Sequence, residues 1–203
     1  MEPSNTREKI LRAALELAAE RGLRGTSLGD IAARVGIRKP SLYNHFSSRE
    51  DLVRAMYAAL RDLAERAHPK PGTGVLRDAV RDLGAVGTVQ MVLRRQGKIR
   101  GEAELDRFLN IVESEKYFDP AAAEICRQET RWMEEHTRIL LEALRESGAL
   151  DIRDMDTAVF LFAGAARDLF LSRTLFSEED FEEKAERLAR GFCGLYGGEG
   201  TRE

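Results

Sequence analysis

The chain has 203 residues, 43% of them hydrophobic and 33% charged, with a formal net charge of −3. That length allows a small domain plus a second, larger helical core, and the apolar content is enough to bury one. The net charge conceals a division: residues 1–67 carry 12 Lys and Arg against 9 Asp and Glu, and residues 68–203 carry 20 against 26. A polyanionic partner is therefore directed to the first third and away from the rest.

Thr6 to Arg21 reads as a helix, with Ile10, Leu11, Ala14, Leu17 and Ala18 on one face and Gly22 ending it. Next comes SLGDIAARVGIRKPSLYNHF, Ser27 to Phe46, in which Ser27 and Asp30 have the spacing of a capping box. The helix they open carries Leu28, Ile31, Ala32 and Val35 at helical spacing, and Gly36 supplies its left-handed stop. Pro40 disfavours helical geometry at Lys39 but suits a first helical position, so a second short helix runs from about Pro40 to Phe46. Leu42 and Phe46 form its buried side. Ser41, Tyr43, Asn44 and His45 are left facing outward, with Lys39 at the leading edge. Two short helices joined by a tight turn, the second rich in donors, acceptors and an aromatic ring, make the layout of a DNA-reading helix-turn-helix.

Ser48 and Asp51 repeat the capping-box spacing, and a longer helix follows with Leu52, Val53, Met56, Tyr57 and Leu60 along one side. His68 to Gly74, with two prolines and two glycines, is a breaker. The predicted domains are a helix-turn-helix domain over 1–48, a connecting helix over 49–67 and a helical body over 68–203. Within the body, helices are predicted over 75–83, 85–95 and 102–115, with GKIRG at 97–101 as a loop. Asp119 and Pro120 open a long helix running to Glu146, where Ser147 and Gly148 stop it. Asp154 opens another, to Leu175. Ser177 and Asp180 cap the last, which fades at Gly197 and Gly198. No strand and no internal repeat are visible, so the fold class is all-α.

The segment from Ala158 to Phe170 is apolar nearly all round, and its run of small residues lets another helix approach closely. Leu161, Ala165 and Leu169, with Phe181, Leu188, Phe192 and Leu195 on the final helix, are the candidate association surface. A buried helix pair within one chain is the alternative. Trp132, Met133 and His136 occupy successive turns of the long helix, and Met91, Phe108, Ile111, Tyr117, Phe118 and Phe162 are candidate facing residues. Such a set suits a pocket for an apolar or aromatic small molecule, and equally an ordinary core. Arg167, inside an apolar helix, requires a partner if buried: an acidic ligand or a neighbouring carboxylate.

Several functions are disfavoured. Cys126 and Cys193 form no C-x-x-C pair and have no adjacent His or Cys, so a zinc site is not expected. There is no phosphate-cradling glycine loop, no G-x-S-x-G elbow and no clustered metal ligands, hence no enzyme and no cofactor in prospect. The first residues carry a polar helix rather than an apolar signal core, and Ala158 to Ala166 is too short for a membrane span of about 20 residues. A cytoplasmic protein is the expectation.

The stretches TREKILRAALELAAERG, TSLGDIAARVGIRKPSLYNHF and SSREDLV occur in order and at fixed spacing over the first third of the chain. In this the chain resembles the TetR/AcrR family of bacterial transcription regulators. The resemblance implies a three-helix DNA-binding domain followed by a larger helical ligand-binding and dimerisation domain. It further implies that Ser27 caps its helix and meets a phosphate, and that Lys39, Pro40, Ser41, Tyr43, Asn44 and His45 face the groove. Tyr43 and Arg49 correspond to positions that grip the backbone. Pro40 stands where glycine or alanine is more usual, so base preference does not carry over. The last two helices would pair with their copies in a four-helix bundle. The implied function is a homodimeric repressor of a palindromic operator, released by a small-molecule effector; a DNA-bound scaffold controlled by a protein partner is the alternative.

Overall fold

The structure is a computed structural model that describes residues 6–67, 72–175 and 177–197. Its helices are α1 (Thr6–Arg21), α2 (Leu28–Val35), α3 (Lys39–Leu42), α4 (Arg49–Ala67), α5 (Thr73–Arg100), α6 (Ala103–Glu115), α7 (Pro120–Glu146), α8 (Met155–Leu171) and α9 (Glu178–Tyr196). A 3-10 turn over Arg173–Leu175 follows α8, and the described residues contain no strand. The fold is all-α, as the sequence pattern requires.

The helix boundaries follow local chemistry. Ser27 Oγ accepts from the Asp30 amide at 3.1 Å while an Asp30 carboxylate oxygen accepts from the Ser27 amide at 3.2 Å, which opens α2. Gly36 closes it at φ 77°, a left-handed conformation that glycine adopts without a side-chain clash. Ser177 and Asp180 open α9 in the same reciprocal way. At α4 only half of the box forms: Ser48 Oγ caps the Asp51 amide, but the Asp51 carboxylate turns to the Ser47 amide and hydroxyl. Asp119 accepts from the Ala121 and Ala122 amides and so starts α7. Of the expected breaker, residues 68–71 lie outside the described residues, as does Gly198; Gly72 precedes α5 as its cap.

Two compact units emerge. The first takes the described residues up to Arg66 together with Glu102–Gln128, and the second takes Ala67–Gly101 with Glu129 onward. This division differs from a cut near residue 67, because α6 and the first turns of α7 belong with the helix-turn-helix. In the first unit Ile10, Leu17, Ile31, Leu42, Phe46, Leu52, Met56 and Leu105 are buried. In the second, Leu93, Leu141, Leu144, Phe162, Phe170, Phe181, Ala185 and Phe192 belong to one core.

Two glycines in α5 act in opposite ways. Gly84 breaks the helix at φ 68° and ψ −176°, a conformation open essentially to glycine alone, and this divides α5 where the sequence predicts two helices. Gly97 does not break it. The GKIRG segment expected as a loop is helical to Arg100, and Gly97 is there for space: a Cβ would lie 2.5 Å from Cζ of the buried Phe181 ring on α9. Gly97→Ala should therefore destabilise the protein by about 1–3 kcal/mol through overpacking, whereas Gly74→Ala, with nothing within 4 Å, should be neutral or mildly stabilising. Thermal unfolding of the two variants measures the difference; equal melting temperatures would contradict the packing assignment.

Candidate nucleic-acid interface

In the first unit, α3 is only four residues long, but its turns continue. The Tyr43 amide donates to the Pro40 carbonyl at 3.2 Å, His45 to Leu42 at 2.9 Å and Phe46 to Leu42 at 3.1 Å. The segment is thus held in helical turns to Phe46, anchored by the buried Leu42 and Phe46. Arg7 of α1 sits over the Phe46 ring, 5.0 Å from its centre. That anchoring turns the remaining side chains outward. Lys39, Pro40, Tyr43 and Asn44 are exposed, Ser41 and His45 are half-buried, and Arg38 adds a second exposed cation just before α3.

Ser27 is exposed, but its hydroxyl is engaged: besides capping α2 it donates to Asp30 Oδ2 at 2.7 Å. These Ser27 hydrogen bonds hold the Asp30 carboxyl below the ordinary carboxylate range, with Arg21 adding a smaller effect. Arg49 is placed differently from the exposed set. Its Nη2 donates to the Leu23 carbonyl at 2.6 Å and its Nη1 pairs with Asp119 at 2.8 Å, so the guanidinium is committed within the protein. From α6, the Glu115 carboxylate accepts the Leu23 amide at 2.9 Å and the Arg24 amide at 3.0 Å. Sequence reasoning missed Glu115 altogether and saw Asp119 only as a helix cap. Both partners are remote in sequence, and no local pattern signals them.

The candidate pocket residues fall into two groups. Phe108 and Ile111 belong to the first unit, where with Leu11, Leu15 and Leu60 they line a half-open groove of ≈ 400 Å³. Tyr117 and Phe118 are in the same unit at 80% and 70% exposure, so these two rings lie on its surface rather than enclosing a cavity. They sit in the turn between α6 and α7, where no helical face directs them inward; the Arg24 guanidinium lies over Phe118 and the Lys116 ammonium beside Tyr117. Met91, Trp132, Met133, His136, Phe162 and Arg167 are in the second unit. Trp132 stacks on His136 with ring centres 3.9 Å apart, and His136 Nδ1 lies 2.7 Å from the Trp132 carbonyl. Phe162 is buried edge-on against Phe192, and Met91 and Met133 pack against the same core. Arg167 is half-buried.

The association candidates divide as well. Leu169, Phe181 and Phe192 are buried within the second unit, because α8 and α9 use those faces to pack on their own core. Leu161, Ala165 and Leu195 are exposed, Leu188 is half-buried, and Phe160, at 72% exposure, extends the α8 face beyond the expected set. Gly164 on α8, with Gly191 and Gly194 on α9, keeps these surfaces low. Cys193 is buried, which pushes its thiol up to about 11. Among the described residues no group of three or more His, Cys, Asp or Glu side chains could hold a metal, and no helix is long and apolar enough to cross a membrane.

Residues 10–56 match the family model for bacterial regulatory proteins of the tetR family. The transcriptional repressor KstR2 of Mycolicibacterium smegmatis is 39% identical over 64 residues, 32% of this chain and 30% of that one. The repressor LfrR of the same species is 30% identical over 112 residues, 52% of this chain and 58% of that one. The chain thus spans less than two thirds of the length of either relative. In three dimensions, a TetR-family transcriptional regulator from Mesorhizobium loti superposes with a TM-score of 0.71 at 20% identity, over 98% of this chain and 100% of that one. By sequence across residues 10–56 the chain matches the tetR family of bacterial regulatory proteins, and across its length it shares the fold of the Mesorhizobium loti protein.

Proposed function

We propose that this chain is a DNA-binding transcriptional regulator, working as a homodimeric repressor of a palindromic operator and released by a small-molecule effector. The observation that carries the reading is the exposed edge of Lys39, Pro40, Tyr43 and Asn44, with Ser41 and His45 beside it, raised on the buried anchors Leu42 and Phe46. Lysine and tyrosine supply phosphate contacts, and serine, asparagine and histidine supply hydrogen bonds to base edges. KstR2 and LfrR are both named repressors, which supports repression as the mode.

One such segment covers only a few base pairs, so two copies about 34 Å apart are needed to read both halves of an operator. The exposed Phe160, Leu161, Ala165 and Leu195 supply the apolar surface for that pairing. The stacked Trp132 and His136, half-buried on α7, offer an aromatic wall for an effector, which releases DNA only as far as it prefers one conformation over the other. A second reading, control by a protein partner, is favoured by the exposed Tyr117 and Phe118 rings. A thermal-shift screen with aromatic and apolar compounds, paired with operator-binding assays, separates the two. Ligand stabilisation with DNA release supports the effector, and release only on adding a protein supports the partner.

Selection of binding sites from random DNA should return a palindrome. On that site Lys39→Ala and Tyr43→Ala should each lower affinity by about tenfold, and Lys39→Ala should reduce the salt slope by roughly one. Unchanged binding in both variants would contradict the assignment of the reading segment. Leu161→Glu combined with Leu195→Glu should convert the dimer to a folded monomer with greatly weakened operator binding. Sedimentation of the double variant tests this, and a persistent dimer would place the interface elsewhere.

A further inference from the structure

The reading segment, Ser27 to Phe46, is held at both flanks by the same small group of side chains. Leu23 lies in the turn just before it, and Arg49 follows shortly after it at the start of α4. Arg49 Nη2 donates to the Leu23 carbonyl at 2.6 Å, which ties the two flanks directly to each other. Both flanks are then tied to carboxylates from the α6–α7 corner. Glu115 takes the Leu23 and Arg24 amides, one on each oxygen, and Asp119 takes Arg49 at 2.8 Å. Asp119 is the most enclosed member, its side chain only 4% exposed, and its second oxygen is occupied by the amides that start α7. A carboxylate so buried needs its cation, and a guanidinium so committed has little freedom to turn outward.

We propose that Arg49, Glu115 and Asp119 are positioning residues for DNA reading: a brace from the α6–α7 corner that sets the placement of Ser27 and α3, with Arg49 acting inside the protein and not on a phosphate. The inference rests on the DNA-reading function proposed above. It departs from the resemblance, which places a backbone-gripping residue at Arg49, and it brings into the reading machinery two residues outside the family-model match. The surroundings of Gly22 fit the same purpose. At φ 75° it takes a left-handed turn, and a Cβ there would lie 2.4 Å from Glu115 Oε1, so the close approach of the carboxylate requires glycine.

The brace and a phosphate contact predict different salt behaviour. A side chain that neutralises a phosphate contributes about one unit to the slope of log affinity against log salt, whereas a positioning residue contributes nothing to it. The test uses the full chain on its selected DNA site, with Arg49→Met, Glu115→Gln and Asp119→Asn. Each carboxamide turns one acceptor into a donor facing the wrong partner. All three should lower affinity by about tenfold with the wild-type salt slope, below the temperature at which each variant begins to unfold. The double variant Arg49→Met/Asp119→Asn should bind about as well as either single one, because the two side chains act as a unit. Arg49→Lys, which keeps the charge and one donor, should recover part of the loss and serves in place of Arg49→Met if that variant does not fold.

A slope reduced by about one in the Arg49 variant, with Glu115→Gln and Asp119→Asn binding normally, would overturn the proposal in favour of a phosphate contact. Wild-type affinity in all three variants would also overturn it. So would a loss that merely follows the unfolded fraction, since that is the signature of a structural role alone. Failure of the wild-type protein to select any DNA site would instead refute the DNA-reading function itself.

Discussion

A single arginine joins three parts of the first unit that are remote in sequence. Arg49 stands at the start of α4, holds the turn between α1 and α2 through the Leu23 carbonyl, and pairs with Asp119 at the start of α7. Glu115 completes the arrangement by accepting the two amides that the same turn presents. Backbone polar groups in a turn must find partners somewhere. Here they find charged ones, which make shorter and stronger hydrogen bonds than neutral groups do. This is why α6 and the first turns of α7 belong to the same compact unit as the helix-turn-helix. Buried apolar residues on both sides, Leu17 and Met56 with Leu105 and Val112, supply the bulk of the burial. The charged contacts supply the register.

The reading segment itself is built by short-range chemistry. The Ser27–Asp30 box opens α2, Gly36 closes it, and Pro40 starts α3, so every backbone direction between Ser27 and Phe46 is set within a few residues. Burial of Leu42 and Phe46 then decides which side chains point away. The second unit follows another logic. Its core is one cluster to which α5, α7, α8 and α9 all contribute, and the uncovered surface includes low or apolar positions, Phe160, Leu161, Gly164 and Ala165 on α8 and Gly191, Gly194 and Leu195 on α9, beside charged ones such as Asp168, Arg187 and Arg190. In the dimer proposed above, small residues such as Gly164 and Ala165 would let a second copy approach closely, while Phe160 and Leu161 would supply area.

Most of the helical pattern was legible in the sequence because caps and stops are local. The span of α1, both complete capping boxes, the stop at Gly36, the start of α7 at Asp119 and the division of α5 at Gly84 all rest on residues within about one helical turn of each other. Gly97 misled for a physical reason: a glycine can break a helix or make room for a neighbour, and only the Phe181 ring, far along the chain, decides between them. Apolar stripes were similarly ambiguous. Phe181 and Phe192 look like an association surface in the sequence, yet they face their own core, whereas Leu161 and Leu195 on the same two helices remain exposed. Tyr117 and Phe118 read as pocket walls because they are aromatic, but they occupy a turn with no inward face. The contacts of Arg49 and Glu115 were beyond reach altogether, since Arg49 stands 26 residues from Leu23 and Glu115 stands 92 residues from it.

The central claim is that the turn before the reading segment is held by a carboxylate from α6. Amide hydrogen exchange reports on that contact directly, without DNA or effector. In the wild-type protein the Leu23 and Arg24 amides should be protected, and Glu115→Ala should remove that protection while the Leu17 amide inside α1 keeps its own. Unchanged protection at Leu23 and Arg24 in Glu115→Ala would contradict the account.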